Sequence, residues 1–157
     1  MWTFAYGGNL DVIRMRRIAP DIHFVCRAYY PDHTIGFSVL HEGIPQIAAI
    51  PRRGYQLWGV VYEIPDGPQV EALDKAEGIV GGKSRSGYRR VLWSVTREDG
   101  RAMDVHSYVT DETEDHVPDR QYVARVFDWA RFWDLPGDHL EMLKDHLAHS
   151  RKWHGGR

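Results

Sequence analysis

Short alternating or apolar runs fill the first two thirds of the chain, and two longer amphipathic stretches fill the rest. Trp2–Tyr6 reads as a first strand. In Ile22–Tyr30, Ile22, Phe24, Cys26 and Ala28 fall on one face and His23, Val25 and Arg27 on the other, the two-residue period of a half-buried strand. Thr34–Leu40, Gln46–Ile50 and Tyr55–Ile64 read as further strands. Tyr88–Thr96 and Arg101–Thr110 form a predicted hairpin, with Glu98-Asp99-Gly100 as its turn. Helices are fewer. Asp11–Ile18 is a short one stopped by Pro20, and Pro68–Glu77 is one ended by Gly78. Asp119–Trp133 and Asp138–Ser150 are amphipathic and separated by Leu135-Pro136-Gly137. Strands first and helices last predict an α+β fold rather than alternating β/α units. Residues 1–150 are expected to form one domain, with 151–157 a solvated tail.

Composition narrows the partners. A chain of 157 residues hides roughly 70% of its surface on folding, enough for a core with a pocket cut into it. Lys and Arg number 20 against 22 Asp and Glu, a formal charge of -2. That argues against a nucleic-acid binder driven by phosphate neutralisation. One cysteine allows no internal disulfide and favours a reducing compartment. The start, Met1-Trp2-Thr3-Phe4, lacks the basic stretch and apolar run of a signal peptide. No apolar run approaches the roughly 20 residues of a membrane helix. The expectation is a cytoplasmic protein without membrane partners.

Two segments carry candidate chemistry. Tyr6-Gly7-Gly8-Asn9-Leu10 runs from a strand into a short helix. Glycines there permit a tight turn and close approach to a ligand, and the unpaired N–H groups of a helix start favour an anion. Asn9 can cap the helix or bond a ligand. The segment is neither a P-loop nor a dinucleotide fingerprint. The structural reading is a turn with glycines for geometry alone. In the second segment Val70, Leu73, Glu77 and Val80 fall at i, i+3, i+7 and i+10, one helical face. Glu77 occupies an apolar position, where partial desolvation raises a carboxyl pKa toward the range of a neutral-pH acid/base. The structural reading turns Glu77 outward at Gly78, or pairs it with Arg85, Arg89 or Arg90.

Taken together, these residues resemble a known family. Phe4-Ala5-Tyr6-Gly7-Gly8-Asn9-Leu10 resembles the Tyr-Gly-Ser-Asn-Leu signature of the γ-glutamylcyclotransferases and their AIG2-like relatives. Ile47-Ala48-Ala49-Ile50 and Leu57-Trp58-Gly59-Val60-Val61-Tyr62 resemble its central strands, and Leu73-Asp74-Lys75-Ala76-Glu77-Gly78 its Leu-Asp-x-x-Glu-Gly motif. Tyr88-Arg89-Arg90, Gln121-Tyr122 and Leu135-Pro136-Gly137-Asp138-His139-Leu140 follow in order, so the match runs from about residue 3 to about 147. The resemblance implies a small mixed β-barrel flanked by helices. It implies Glu77 as the acid/base residue, the Tyr6–Leu10 loop holding a γ-glutamyl group, and Tyr88 and Tyr122 lining the pocket. Gly8 departs from the pattern, standing where the family usually has Ser; a hydroxyl is lost and the backbone N–H is kept. The implied reaction closes a γ-glutamyl amino acid to 5-oxoproline, releasing the amino acid, with no cofactor because the attack is internal. The same chemistry on a γ-glutamyl amine or a γ-glutamyl-protected biosynthetic intermediate is an alternative, as is a non-catalytic ligand-binding module on this fold.

Other candidates have simpler readings. Cys26 shares a strand face with apolar residues and reads as a buried structural thiol. His139, His146 and His149 share a helix face, but they read as solvated or facing the helix C-terminus rather than as metal ligands. Lys83, Arg85, Arg89 and Arg90 form a basic cluster that is either a solvated loop or an attractor for the leaving amino acid's carboxylate. Trp129, Phe132 and Trp133 read as core contacts of the penultimate helix. Exposed aromatics leave a homodimer open.

Overall fold

The computed structural model describes residues 1–39, 45–111 and 116–152. Its centre is a closed barrel of five strands in the order β1-β3-β2-β6-β7. These are β1 (Trp2–Ala5), β2 (His23–Val39), β3 (Pro45–Glu63), β6 (Tyr88–Arg97) and β7 (Ala102–Thr110). All neighbours are antiparallel except β1 and β7, which close the barrel in parallel at Thr3 and His106. The helices are α1 (Val12–Ile18), α2 (Pro68–Ala76), α3 (Arg120–Phe132) and α4 (Gly137–Ala148), and a small hairpin joins β4 (Ile79–Val80) to β5 (Lys83–Ser84). The architecture is α+β, as the order of strands and helices predicted, and it is the small mixed barrel flanked by helices that the resemblance implied.

The long strands differ from expectation. Ile22–Tyr30 and Thr34–Leu40 are one strand, β2, as far as Val39; Leu40 lies outside the described residues. Gln46–Ile50 and Tyr55–Ile64 likewise merge into β3. Pro31-Asp32 and Pro51-Arg52-Arg53-Gly54 resemble turns because proline cannot donate to a ladder. Here they face each other as a bulge, with a register shift between Pro31 and His33. Asp32 Oδ1 accepts the Gly54 N–H at 2.8 Å across it. A second shift between Phe24 and Cys26 breaks the predicted two-residue period. Cys26 and Ala28 stay buried, but Phe24 turns outward, 47% exposed, and stacks on Trp133 at 4.7 Å.

One contiguous core fills the barrel and runs beneath the helices. Leu10, Leu73 and Leu143 are fully buried and tie the first loop, α2 and α4 to it; each such side chain contributes about 1.5–3 kcal/mol. The hairpin turn is as expected, with Gly100 at φ 86°. Helix α2 ends at Ala76, one residue before the expected end, and Glu77 is its C-cap. The chain then enters the unforeseen β4–β5 hairpin. Val80 lies there, exposed, so the apolar stripe ends at Glu77. At the far end Arg151 is held, its carbonyl accepting the Arg120 N–H at 2.9 Å and its N–H donating to Pro118 at 3.1 Å. The remainder of the expected tail from 153 lies outside the described residues. Of the three aromatics expected in the core of α3, Trp133 packs on Tyr62, Trp129 is half-buried and Phe132 is 64% exposed. No helix among the described residues is long and apolar enough to cross a membrane.

Candidate active site

The end of β1 delivers the glycine loop to the mouth of the barrel. Gly8–Leu10 form a single 3-10 turn, in which the Leu10 N–H donates to the Gly7 carbonyl at 3.0 Å and the Asp11 N–H to the Gly8 carbonyl at 3.3 Å. The helix that follows is capped by Asp11, whose carboxylate accepts the Arg14 N–H at 2.9 Å. The cap expected of Asn9 is therefore already supplied. The Asn9 side chain turns the other way and donates through Nδ2 to Glu77 Oε1 at 2.7 Å. Arg14 Nη1 donates to Asn9 Oδ1 at 3.2 Å, which fixes the amide with its donor toward the carboxylate.

Glu77 reaches this point because α2 is braced from two sides. Leu73, one turn earlier on the same face, is fully buried. Asp74 accepts the Tyr108 hydroxyl at 2.6 Å and pairs with Arg90 at 3.2 Å, which pins α2 to the barrel wall. After Glu77 the chain turns sharply through Gly78 at φ 81°, a left-handed conformation that a side chain disfavours. The Glu77 carbonyl, orphaned by the end of the helix, accepts the Ser86 hydroxyl at 2.6 Å. Burial pushes the Glu77 carboxyl above the usual carboxylate range; the Asn9 hydrogen bond and the Arg14 charge pull it partly back.

A cavity of about 220 Å³ opens between the loop, Glu77 and α3. Tyr6, Tyr88, Tyr108 and Tyr122 line it. Burial raises all four phenols, Tyr122 to about 12, so each remains a neutral hydroxyl at physiological pH. Tyr6 donates to the Tyr108 carbonyl at 2.9 Å. The Tyr122 oxygen accepts the Ile47 N–H at 3.3 Å. The Tyr122 hydroxyl lines the cavity, where it can donate to an acceptor.

The structure brings together Tyr6, Gly7, Gly8, Asn9, Glu77, Tyr88 and Tyr122 around this cavity. Leu10 does not join them. Its side chain is fully buried, and its carbonyl accepts the Tyr62 hydroxyl at 3.2 Å and the Trp133 indole N–H at 2.8 Å. A Cβ added at Gly8 would lie 3.7 Å from the Tyr122 ring, ordinary contact, so space does not exclude a serine. The basic cluster is elsewhere. Arg89 pairs with Asp111 at 2.7 Å and Arg90 with Asp74, and neither Lys83 nor Arg85 lines the cavity. The arginines in its wall are Arg14 and Arg125, which sequence reasoning passed over together with Tyr108, while Trp129, read as a core contact, also lines it. A signal existed on α3, where Tyr122, Arg125 and Trp129 fall at i, i+3 and i+7. Cys26 is buried as expected. His139 is not solvated: it is 3% exposed, and neither ring nitrogen has a hydrogen-bond partner. Among the described residues no group of three or more His, Cys, Asp or Glu side chains is arranged to hold a metal ion.

Residues 3–130 match the family described as Gamma-glutamyl cyclotransferase, AIG2-like. Gamma-glutamylcyclotransferases of Homo sapiens and Mus musculus are each 29% identical over 149 residues, covering 90% of this chain and 76% of the relative. A solved Gamma-glutamyl cyclotransferase structure superposes with a TM-score of 0.83 at 24% identity, over 99% of this chain and 92% of the other. The chain belongs to the γ-glutamyl cyclotransferase, AIG2-like family.

Proposed function

We propose that this chain closes γ-glutamyl amino acids to 5-oxoproline and releases the free amino acid, with Glu77 as the acid/base group. The observation that carries the reading is the short bond between Asn9 of the glycine loop and a half-buried Glu77 whose pKa is raised. Membership of the family and the name of its 29%-identical relatives support the same chemistry.

In the proposed reaction the α-ammonium of the bound substrate gives a proton to the Glu77 carboxylate. The freed amine attacks the γ-carbonyl carbon of its own chain, forming the new C–N bond of a five-membered ring. The carbonyl oxygen becomes an oxyanion, a suitable acceptor for the neutral phenols of Tyr122 and Tyr88. As the intermediate collapses, the new ring nitrogen releases its second proton, the original amide C–N bond breaks, and the departing nitrogen takes up both protons, one returned by Glu77, to leave as an ammonium. No external nucleophile or electron carrier enters the balance. Holding the substrate bent in a small cavity supplies the proximity that an internal attack needs.

Glu77→Gln is the direct test. It preserves shape and can still accept from Asn9, but it cannot carry the proton. The expected loss of 5-oxoproline formation is about 10²–10⁴-fold. The variant should unfold no more readily than the wild type near neutral pH, because a raised carboxyl pKa means the folded state holds the ionised form at a cost. An unchanged turnover rate for the folded variant would sink the assignment.

A further inference from the structure

We infer that one face of α3 is the leaving-group half of the site: Arg125 receives a carboxylate on the departing amine and Trp129 receives an apolar or aromatic side chain next to it. The inference rests on the ring-closing reading above. It selects, within γ-glutamyl compounds, amino acids with bulky apolar side chains over small ones and over plain amines.

The placement follows from the division of the cavity. Glu77, Asn9 and the glycine loop occupy one side, and the α-amine must lie there to meet the carboxylate. The rest of the substrate extends away from Glu77, toward the remaining wall. That wall is α3, from which Tyr122, Arg125, Val126 and Trp129 project into the cavity at i, i+3, i+4 and i+7. Tyr122 is buried against the loop, and Arg125 is exposed, which places it at the rim.

The two cavity arginines differ in what they already do. Arg14 is engaged with Asn9 at 3.2 Å. Arg125 forms no ion pair with a described carboxylate, so a cation stands at the rim of the cavity with its fork unused. The guanidinium geometry suits a carboxylate, which it can grip with two parallel hydrogen bonds. Trp129 lies one helical turn further along, half-buried, and packs edge-on against Phe132 at 5.0 Å. A cation and an indole one turn apart match a leaving amino acid, whose carboxylate and side chain branch from the same carbon. An amine lacking the carboxylate would meet only the ring.

The test compares γ-glutamyl-phenylalanine, γ-glutamyl-phenethylamine and γ-glutamyl-alanine by 5-oxoproline release. The first and second differ only by the carboxylate, the first and third only by the ring. The wild type should favour γ-glutamyl-phenylalanine over the amine by about 10- to 100-fold in kcat/KM, the range of a charge-assisted contact. Arg125→Gln should bring that ratio close to one, mainly through KM, and Arg125→Lys should restore part of it. Trp129→Ala should erode the preference for phenylalanine over alanine. Equal turnover of acid and amine by the wild type, or an equal loss on both in Arg125→Gln, overturns this assignment and leaves the ring-closing reading standing. Turnover of none of the three overturns both.

Discussion

Asn9 shows how much chemistry one amide can set. Its two polar atoms are spoken for, the oxygen by Arg14 and the nitrogen by Glu77. It therefore relays part of a positive charge to a carboxyl group that burial alone would drive further toward the neutral acid. Asn9→Ala removes the donor that favours the ionised form, so the Glu77 pKa rises beyond its wild-type position. On the proposal that Glu77 is the base, it must be ionised to accept a proton, and the acid limb of the kcat/KM profile is expected to move to higher pH. Turnover at pH 7 should fall roughly 10-fold, the worth of one hydrogen bond to a charged group, and recover as pH increases. A profile that keeps its wild-type limb would show that Asn9 does not tune Glu77. The loop was readable as a strand-to-helix turn from its glycines, yet this partnership was not. Asn9 and Glu77 are separated by 68 positions, and no local periodicity reports which side chains meet across such a distance.

Helix α2 was legible in its apolar face and its stop. Leu73 and Glu77 share a side one turn apart, and Gly78 ends the helix in the conformation that glycine there implies. Sequence spacing could not supply the brace, because Asp74 faces partners on β6 and β7. Asp74→Ala strands the buried Tyr108 hydroxyl and unpairs Arg90. It is expected to lower stability by about 2 kcal/mol in urea titration, and to lower turnover by loosening the element that carries Glu77. Loss of stability with unaltered kcat would mean that the hairpin after Gly78, through Ser86, holds Glu77 without this brace. The strands teach a complementary lesson. Their apolar content was evident, but Pro31 and Gly54 carry the same signals in a bulge as in a turn, so two long strands looked like four. The phase slip at Phe24 has the same origin: one inserted residue turns Phe24 outward, while Ile22, just before the strand, stays buried. On α3, Phe132 falls seven residues after the exposed Arg125, off the face carried by Tyr122, Val126 and Ala130, and so ends exposed despite its apolar side chain.

For the molecule as a whole, His139 couples stability to pH. Burial lowers its pKa to about 4, against about 6.5 for a solvated histidine. The unfolded chain thus binds a proton in a range where the folded chain does not. Stability is fully present above the unfolded value and is lost as pH falls from there toward the folded one, by up to about 3 kcal/mol. His139→Leu should abolish this slope and raise stability near neutral pH by removing two buried nitrogens without partners. Chemical denaturation at pH 4.5 and 7.5 (both chosen as rough ends of that window) would check it. Parallel pH curves for variant and wild type would assign the slope to other groups.

The closure of the barrel also bears on when the site comes into being. β1 needs β3 as one neighbour and β7 as the other, and Tyr6 finds its acceptor on Tyr108, 102 positions away. Loops of that length must close before their contacts repay the lost chain entropy, which places such topologies in the slow, millisecond-to-second class. During synthesis the glycine loop emerges early and then waits for β7 and α3 before it has a cavity to border. Catalytic competence should therefore emerge in one late step, with barrel closure, rather than grow in proportion to the secondary structure already formed.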